Sequence, residues 1–116
     1  MKLNEATTAL AALGQTTRLS VFRLLVEAGP EGRIPGEIAE ALSLPGATLS
    51  FHLKELAAAG LIQGESRGRY ICYRADFDAM NGLIGFLTDN CCGGDQDQCL
   101  PASDTPRKGA QKAGKS

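Results

Sequence analysis

Apolar positions recur at helical spacing through most of the chain, and the period changes once. Leu3, Ala6, Leu10 and Leu13 repeat at 3-4-3 and predict a helix over residues 3–13, ended by Gly14. Thr16 or Thr17 can cap a second helix to about Ala28, with Leu19, Phe22, Leu25 and Val26 inward. Gly29-Pro30-Glu31-Gly32 reads as a loop. Pro35 suits the first turn of a third helix that buries Ile38, Ala39 and Leu42. After the turn Ser43-Leu44-Pro45-Gly46, a fourth helix is expected from about Ala47 to Ala58. Its Leu49, Leu53 and Leu56 face the core. Thr48, Ser50, Phe51, His52, Lys54 and Glu55 fall on other faces, and Gly60 closes the helix.

The period then becomes that of strands. Leu61 to Glu65 and Arg69 to Arg74 flank Ser66-Arg67-Gly68 and predict a β-hairpin with a basic tip. Asp76 or Asp78 can cap a last helix to about Asn90, in which Phe77, Met80, Ile84 and Leu87 repeat at 3-4-3. Residues 100–116 are rich in Pro, Gly, Ser, Lys and Asp and offer little to bury. The expected organisation is one domain over residues 1–90, followed by a cysteine-bearing segment and tail over residues 91–116.

Two helices joined by a short turn, then a two-stranded wing, make a winged helix-turn-helix. The expected fold class is mainly α with a small β-hairpin wing. The second helix of the pair can enter a major groove about 12 Å wide. Its early polar residues, Thr48 and Ser50, are short and let the backbone approach. Its dipole favours phosphate near its N-terminus. In the wing, Arg67 and Arg69 can reach an adjacent phosphate or the minor groove, with Gly68 freeing the turn between them. The candidate DNA contacts are Thr48, Ser50, Phe51, His52, Lys54, Arg67 and Arg69. Phe51 suits packing or a sugar contact better than base readout. His52 suits a structural role close to the DNA, and as the single histidine of the chain it excludes a His-rich zinc site.

The run Ser50-Phe51-His52-Leu53-Lys54-Glu55-Leu56, continuing to Ala59-Gly60-Leu61-Ile62, resembles the recognition-helix signature of the ArsR/SmtB repressors. Ala12-Leu13-Gly14 followed by Arg18-Leu19 and Phe22-Arg23-Leu24-Leu25 resembles the same family, as do Gly68-Arg69-Tyr70 and Tyr73-Arg74 in the wing. The resemblance covers roughly residues 5–90. It implies a homodimeric transcriptional repressor that leaves double-stranded operator DNA when it binds an inducer. The first and last helices support the dimer separately, because their apolar stripes are wider than a small helical core needs. Leu3, Leu10, Leu13, Met80, Ile84 and Leu87 are the candidate dimer contacts.

A chain of 116 residues fits one domain and a tail. No run approaches the ~20 apolar residues of a membrane span. Met1-Lys2-Leu3-Asn4-Glu5 carries an early acid and no long apolar stretch, so a secretory signal is not expected and a cytoplasmic location is. The net charge of −1 argues weakly against nucleic acid, but phosphate binding answers to local patches. Arg67, Arg69 and Arg74 form one such patch, with Lys54 just before it.

Cysteine placement sets the expected signal. Many arsenic repressors of the resembled family carry their thiols at the start of the helix-turn-helix, but residues 38–48 here have none. Cys91, Cys92 and Cys99 instead crowd past the last helix, like a relocated sensor of some family members. Arsenite can exchange three hydroxyls for three thiolates, and antimonite should behave alike, since soft ligands take soft acceptors. Methylated trivalent arsenic needs only two sulfurs. As(III) is thus the expected inducer, with Sb(III) as a variant. Three sulfurs point away from four-coordinate zinc, and Cys72, in mid-strand, is expected to be structural. A disulfide of Cys99 with Cys91 or Cys92 is not expected in a reducing cytosol.

Two alternatives stay open. The same fold could answer cadmium, lead or oxidation of vicinal thiols. A small arsenic-binding chaperone is the alternative of another class, but it would need neither the Ser50-to-Leu56 helix nor the wing. The chain shows no phosphate loop, no paired carboxylates with a histidine and no Ser-His-Asp set, so it does not read as an enzyme.

Overall fold

The computed structural model describes residues 1–94. It holds five α-helices and one two-stranded antiparallel sheet in the order α1 (Leu3–Leu13), α2 (Thr16–Ala28), α3 (Pro35–Leu42), α4 (Gly46–Ala58), β1 (Ile62–Arg67), β2 (Tyr70–Ala75) and α5 (Phe77–Thr88). Short 3-10 turns follow α2 at Gly29–Glu31 and α5 at Cys91–Gly94. This is the winged helix-turn-helix architecture that the periodicity predicts. Two compact units divide the chain, Met1–Phe86 and a second that starts at Leu87. Among the described residues no helix is long and apolar enough to cross a membrane.

The core of the first unit draws on all five helices and the entry to the wing. Val21 and Leu25 of α2, Ile38 of α3, Leu49 and Leu56 of α4, and Leu61 are almost fully buried. Each such side chain contributes roughly 1.5–3 kcal/mol of burial. Leu19, expected inside, is 42% exposed, and Val21 holds the inward position.

The terminal helices depart further from their stripes. α1 turns its small residues Ala6 and Ala9 inward and leaves Leu3 and Leu10 71% and 44% exposed. In α5 the buried residue is Leu83, while Ile84 and Leu87 are more than half exposed. Leu3 and Leu10 of α1 and Ile84 and Leu87 of α5 are therefore left exposed, whereas Leu13, Phe77, Met80 and Phe86 pack against the core.

Local chemistry sets the element ends. The cap of α2 is Gln15, whose Oε1 accepts from the Arg18 backbone N–H at 2.8 Å; neither Thr16 nor Thr17 has that role. Pro35 opens α3 as its lack of an N–H allows, and Glu37 Oε1 accepts from the Ile34 N–H at 3.0 Å. Ser43 ends α3 in the left-handed region, at φ 54° and ψ 48°. Asp76, the first of the two aspartates expected to cap α5, accepts from Ala79 N–H at 2.9 Å.

The hairpin pairs Ile62 with Ala75 and Arg67 with Tyr70, leaving Gly68 and Arg69 as a two-residue turn. Gly68 adopts φ +73°, a region that costs other residues about 1–2 kcal/mol. The base of the wing is pinned to the loop before α3. Arg33 N–H donates to Tyr73 O at 2.8 Å, and Tyr73 N–H donates back to Arg33 O at 2.9 Å.

Candidate nucleic-acid interface

α4 presents two faces of different character. Leu49, His52, Leu53 and Leu56 are buried, at the spacing of a single helical stripe. Thr48, Ser50, Phe51 and Lys54 are exposed, Phe51 at 56%. The placement of His52 is a correction. It sits three residues after Leu49 and four before Leu56, so helical geometry puts it on the inward face, where it is 7% exposed. Its Nδ1 lies 3.4 Å from Arg18 Nη1. Its ring stands edge-on to that of Phe51, with centroids 5.5 Å apart.

The wing and α4 share an open groove of about 650 Å³. Ser50 and Lys54 line it from α4, Arg69 and Tyr70 from the wing, and Pro35 and Gly36 from the start of α3. The fold thus brings Ser50, Lys54 and Arg69 to one concave surface, from positions up to nineteen residues apart. The wall formed by Pro35 and Gly36 carries no charge and has no signal in the sequence that would have marked it.

The two expected wing arginines differ. Arg67 Nη2 lies 3.2 Å from Glu65 Oε1, and Arg74 Nη1 lies 3.0 Å from the same oxygen. Hydrogen bonds from Arg74 and then Arg67 hold the Glu65 carboxyl below the usual carboxylate range. Among the described residues, no carboxylate pairs with Arg69 or Lys54. Their charges are therefore directed to solvent. The pairing of Glu65 with Arg67 was legible in principle, because residues two apart on a strand share a face.

The cysteines fall in two places. Cys72 is buried in β2 and its Sγ donates to Glu31 O at 3.3 Å, a packing role as expected from its mid-strand position. Cys91 and Cys92 lie in the 3-10 turn after α5, with Sγ atoms 3.9 Å apart. Cys92 has φ 53°, in the left-handed region. Cys72 and Cys92 are not in disulfides, whereas Cys91 is disulfide-bonded, where a thiol was expected. Cys99 lies outside the described residues. Among the described residues no cluster of three or more His, Cys, Asp or Glu side chains could hold a metal ion.

Comparison with known proteins agrees with this layout. A helix-turn-helix domain family matches residues 13–65. The HTH-type transcriptional repressor SmtB of Mycobacterium tuberculosis is 38% identical over 72 residues, which are 62% of this chain and 51% of that protein. The chain thus spans about half the length of the curated relatives it matches. An ArsR-like transcriptional regulator from Rhodococcus sp. RHA1 superposes with a TM-score of 0.66 at 28% identity, over 85% of this chain and 89% of that one. The homodimeric winged helix-turn-helix DNA-binding domain of a possible ArsR-family regulator from Mycobacterium bovis shares the fold, with a TM-score of 0.61 at 24% identity over 79% and 85% of the two chains.

Proposed function

We propose that the chain is a winged helix of the ArsR/SmtB type, and that it is a cytoplasmic, homodimeric transcriptional repressor that trivalent arsenic releases from operator DNA. The observation that carries DNA binding is the groove shared by α4 and the wing, where Ser50, Lys54 and Arg69 converge. α4 enters the major groove with Thr48 and Ser50 leading, and its N-terminal N–H groups face phosphate. Arg69 takes a phosphate beside it. His52 supports α4 from within and does not touch a base. Proteins of this type bind DNA and are not enzymes.

Exposed Leu3, Leu10 and Ile84 support the dimer, with Leu13, Met80 and Leu87 continuing the two stripes. Closing this surface on a second copy removes apolar area from water at about 25 cal/mol per Å². A two-fold dimer sets two α4 helices about 34 Å apart, one turn of DNA.

Cys91, Cys92 and Cys99 form the proposed inducer site, in the segment over residues 91–116. The first two sulfurs lie 3.9 Å apart, side by side at the end of α5. Arsenite, antimonite or a methylated trivalent arsenical exchanges its hydroxyls for these thiolates, so Cys91 must be reduced to take part. Binding at the end of α5 then shifts the dimer surface and the spacing of the two α4 helices. A hundred-fold loss of operator affinity needs only about 2.7 kcal/mol of such coupling.

A gel shift with duplex DNA from upstream of the protein's own gene, with and without arsenite under a non-thiol reductant, tests both halves. Cys99→Ser protein should bind that DNA normally and stay bound when arsenite is added. Release of this variant at ordinary arsenite doses sinks the three-thiol site. The disulfide at Cys91 favours a second reading, in which oxidation of the same thiols is the signal. Release by oxidant without arsenic, and retention with arsenite under reductant, would select it.

A further inference from the structure

Arg18 ties three helices together. Its backbone N–H donates to Gln15 Oε1 at 2.8 Å and closes the first turn of α2. Its Nε donates to Ala12 O, in the last turn of α1, at 2.7 Å. Its Nη1 stands 3.4 Å from Nδ1 of His52 on α4. Carbonyls in a last helical turn have no partner within the helix, and the turn favours a cation. A guanidinium has five N–H groups and no lone pair. The contact to His52 can therefore run only one way. Nδ1 is the acceptor.

Neither residue is fully exposed: His52 is buried and Arg18 is partly buried. One planar side chain nonetheless spans the end of α1, the start of α2 and the reading helix. α1 also carries exposed Leu3 and Leu10, on the surface proposed to join two copies.

We propose that Arg18 and His52 are positioning residues for DNA recognition: through them α4 is held at a fixed rotation against the last turn of α1, and hence against the dimer. The proposal rests on reading α4 as the helix that enters the groove. Arg18 is matched to the task because its fork donates from two nitrogens in one plane, whereas lysine offers one point charge. A small rotation of α4 would spoil base contacts at its exposed face while leaving contacts between flexible basic side chains and phosphate largely intact.

The test uses the full chain, duplex DNA from upstream of its own gene, and an unrelated duplex of equal length, each over a series of salt concentrations. Arg18→Lys and His52→Leu should each lose about ten-fold in affinity for the upstream DNA, the scale of one charge-assisted hydrogen bond. Their affinity for the unrelated duplex and the slope of log affinity against log salt should stay at wild-type values. A lost phosphate contact would instead lower that slope by about one. His52→Asn, which keeps an acceptor near the position of Nδ1, should recover most of the loss. Thermal unfolding run alongside identifies any variant that does not fold; should Arg18→Lys be one, the His52 pair decides. Folded variants that bind the upstream DNA like wild type overturn the proposal. So does a loss shared equally by both duplexes, or a His52→Asn protein no better than His52→Leu. If wild type itself does not prefer the upstream DNA, the recognition reading fails, and the positioning role fails with it.

Discussion

Gly32 lies so close beneath Tyr73 that a β-carbon on it would run into the Tyr73 carbonyl oxygen. The same Tyr73 exchanges two backbone hydrogen bonds with Arg33, so the base of the wing is locked to the loop before α3. Gly32 also adopts φ +71°, which penalises any other residue. Gly32→Ala should therefore cost about 3 kcal/mol, from backbone strain and the forced separation of wing and loop. Thermal unfolding should show a fall in midpoint of about 10 °C or more. An unchanged midpoint would mean that the loop relaxes freely and that the lock is weak.

The wing arginines should separate by their pairing with Glu65. Arg69→Ala should weaken binding to upstream DNA and to unrelated DNA alike, and lower the salt slope by about one. Arg67→Ala should do less, because Glu65 already engages that guanidinium at 3.2 Å. Glu65→Gln should tighten binding by removing the competing anion. Equal losses for the two arginine variants would show that the Glu65 contact gives way on the DNA.

Acid should loosen the start of α5. Asp76 accepts from Ala79 N–H and from Gln63 Nε2, and these bonds, Ala79 first, hold its carboxyl below the ordinary 3.8. A depressed folded pKa gives stability that is complete above the unfolded value and is lost as pH falls through the folded one. Asp76→Ala should be about 1 kcal/mol less stable than wild type near neutral pH, the worth of a helix cap. In urea unfolding that difference should shrink progressively below about pH 4. A difference that persists undiminished at about pH 2 would assign the effect to packing and not to the carboxylate.

The exposed stripes make a prediction about assembly. Ile84 is 54% exposed in the single chain, so Ile84→Asp should leave the fold of one copy intact. On the proposed dimer surface the same change buries a charge. Sedimentation should then report a monomer, and affinity for the upstream DNA should fall by about ten-fold or more. A dimeric Ile84→Asp protein would place the interface elsewhere.

Periodicity exposes most of the architecture, because five helices and a hairpin each carry their own spacing. Leu49, Leu53 and Leu56 were placed correctly by spacing alone. His52 was not, although it sits on the same stripe, because a polar residue type was weighed above its position. The cap at Gln15 was missed for a related reason. Threonine is the commoner cap, but the glutamine side chain reaches the Arg18 N–H from one residue earlier. In α1 the spacing marks one stripe, Leu3, Ala6, Leu10 and Leu13, but not how it divides: Ala6 and Ala9 allow near approach and pack inward, while Leu3 and Leu10, two of the candidate dimer contacts, stay outside. The α4–wing groove was only half legible, because its wall at Pro35 and Gly36 carries no chemistry to notice.

Between Pro35 and Ala58, across both helices of the DNA-reading pair, the sequence contains no cysteine; Cys91 and Cys92 come only after α5 has ended. Under the proposed function, what the protein reads and what it answers are thus written in separate stretches of chain. Thiols can be gained, lost or respaced beyond α5 without disturbing any residue that lines the α4–wing groove. On that proposal, one fixed reading head can be refitted, by short changes after α5, to a succession of chemical threats.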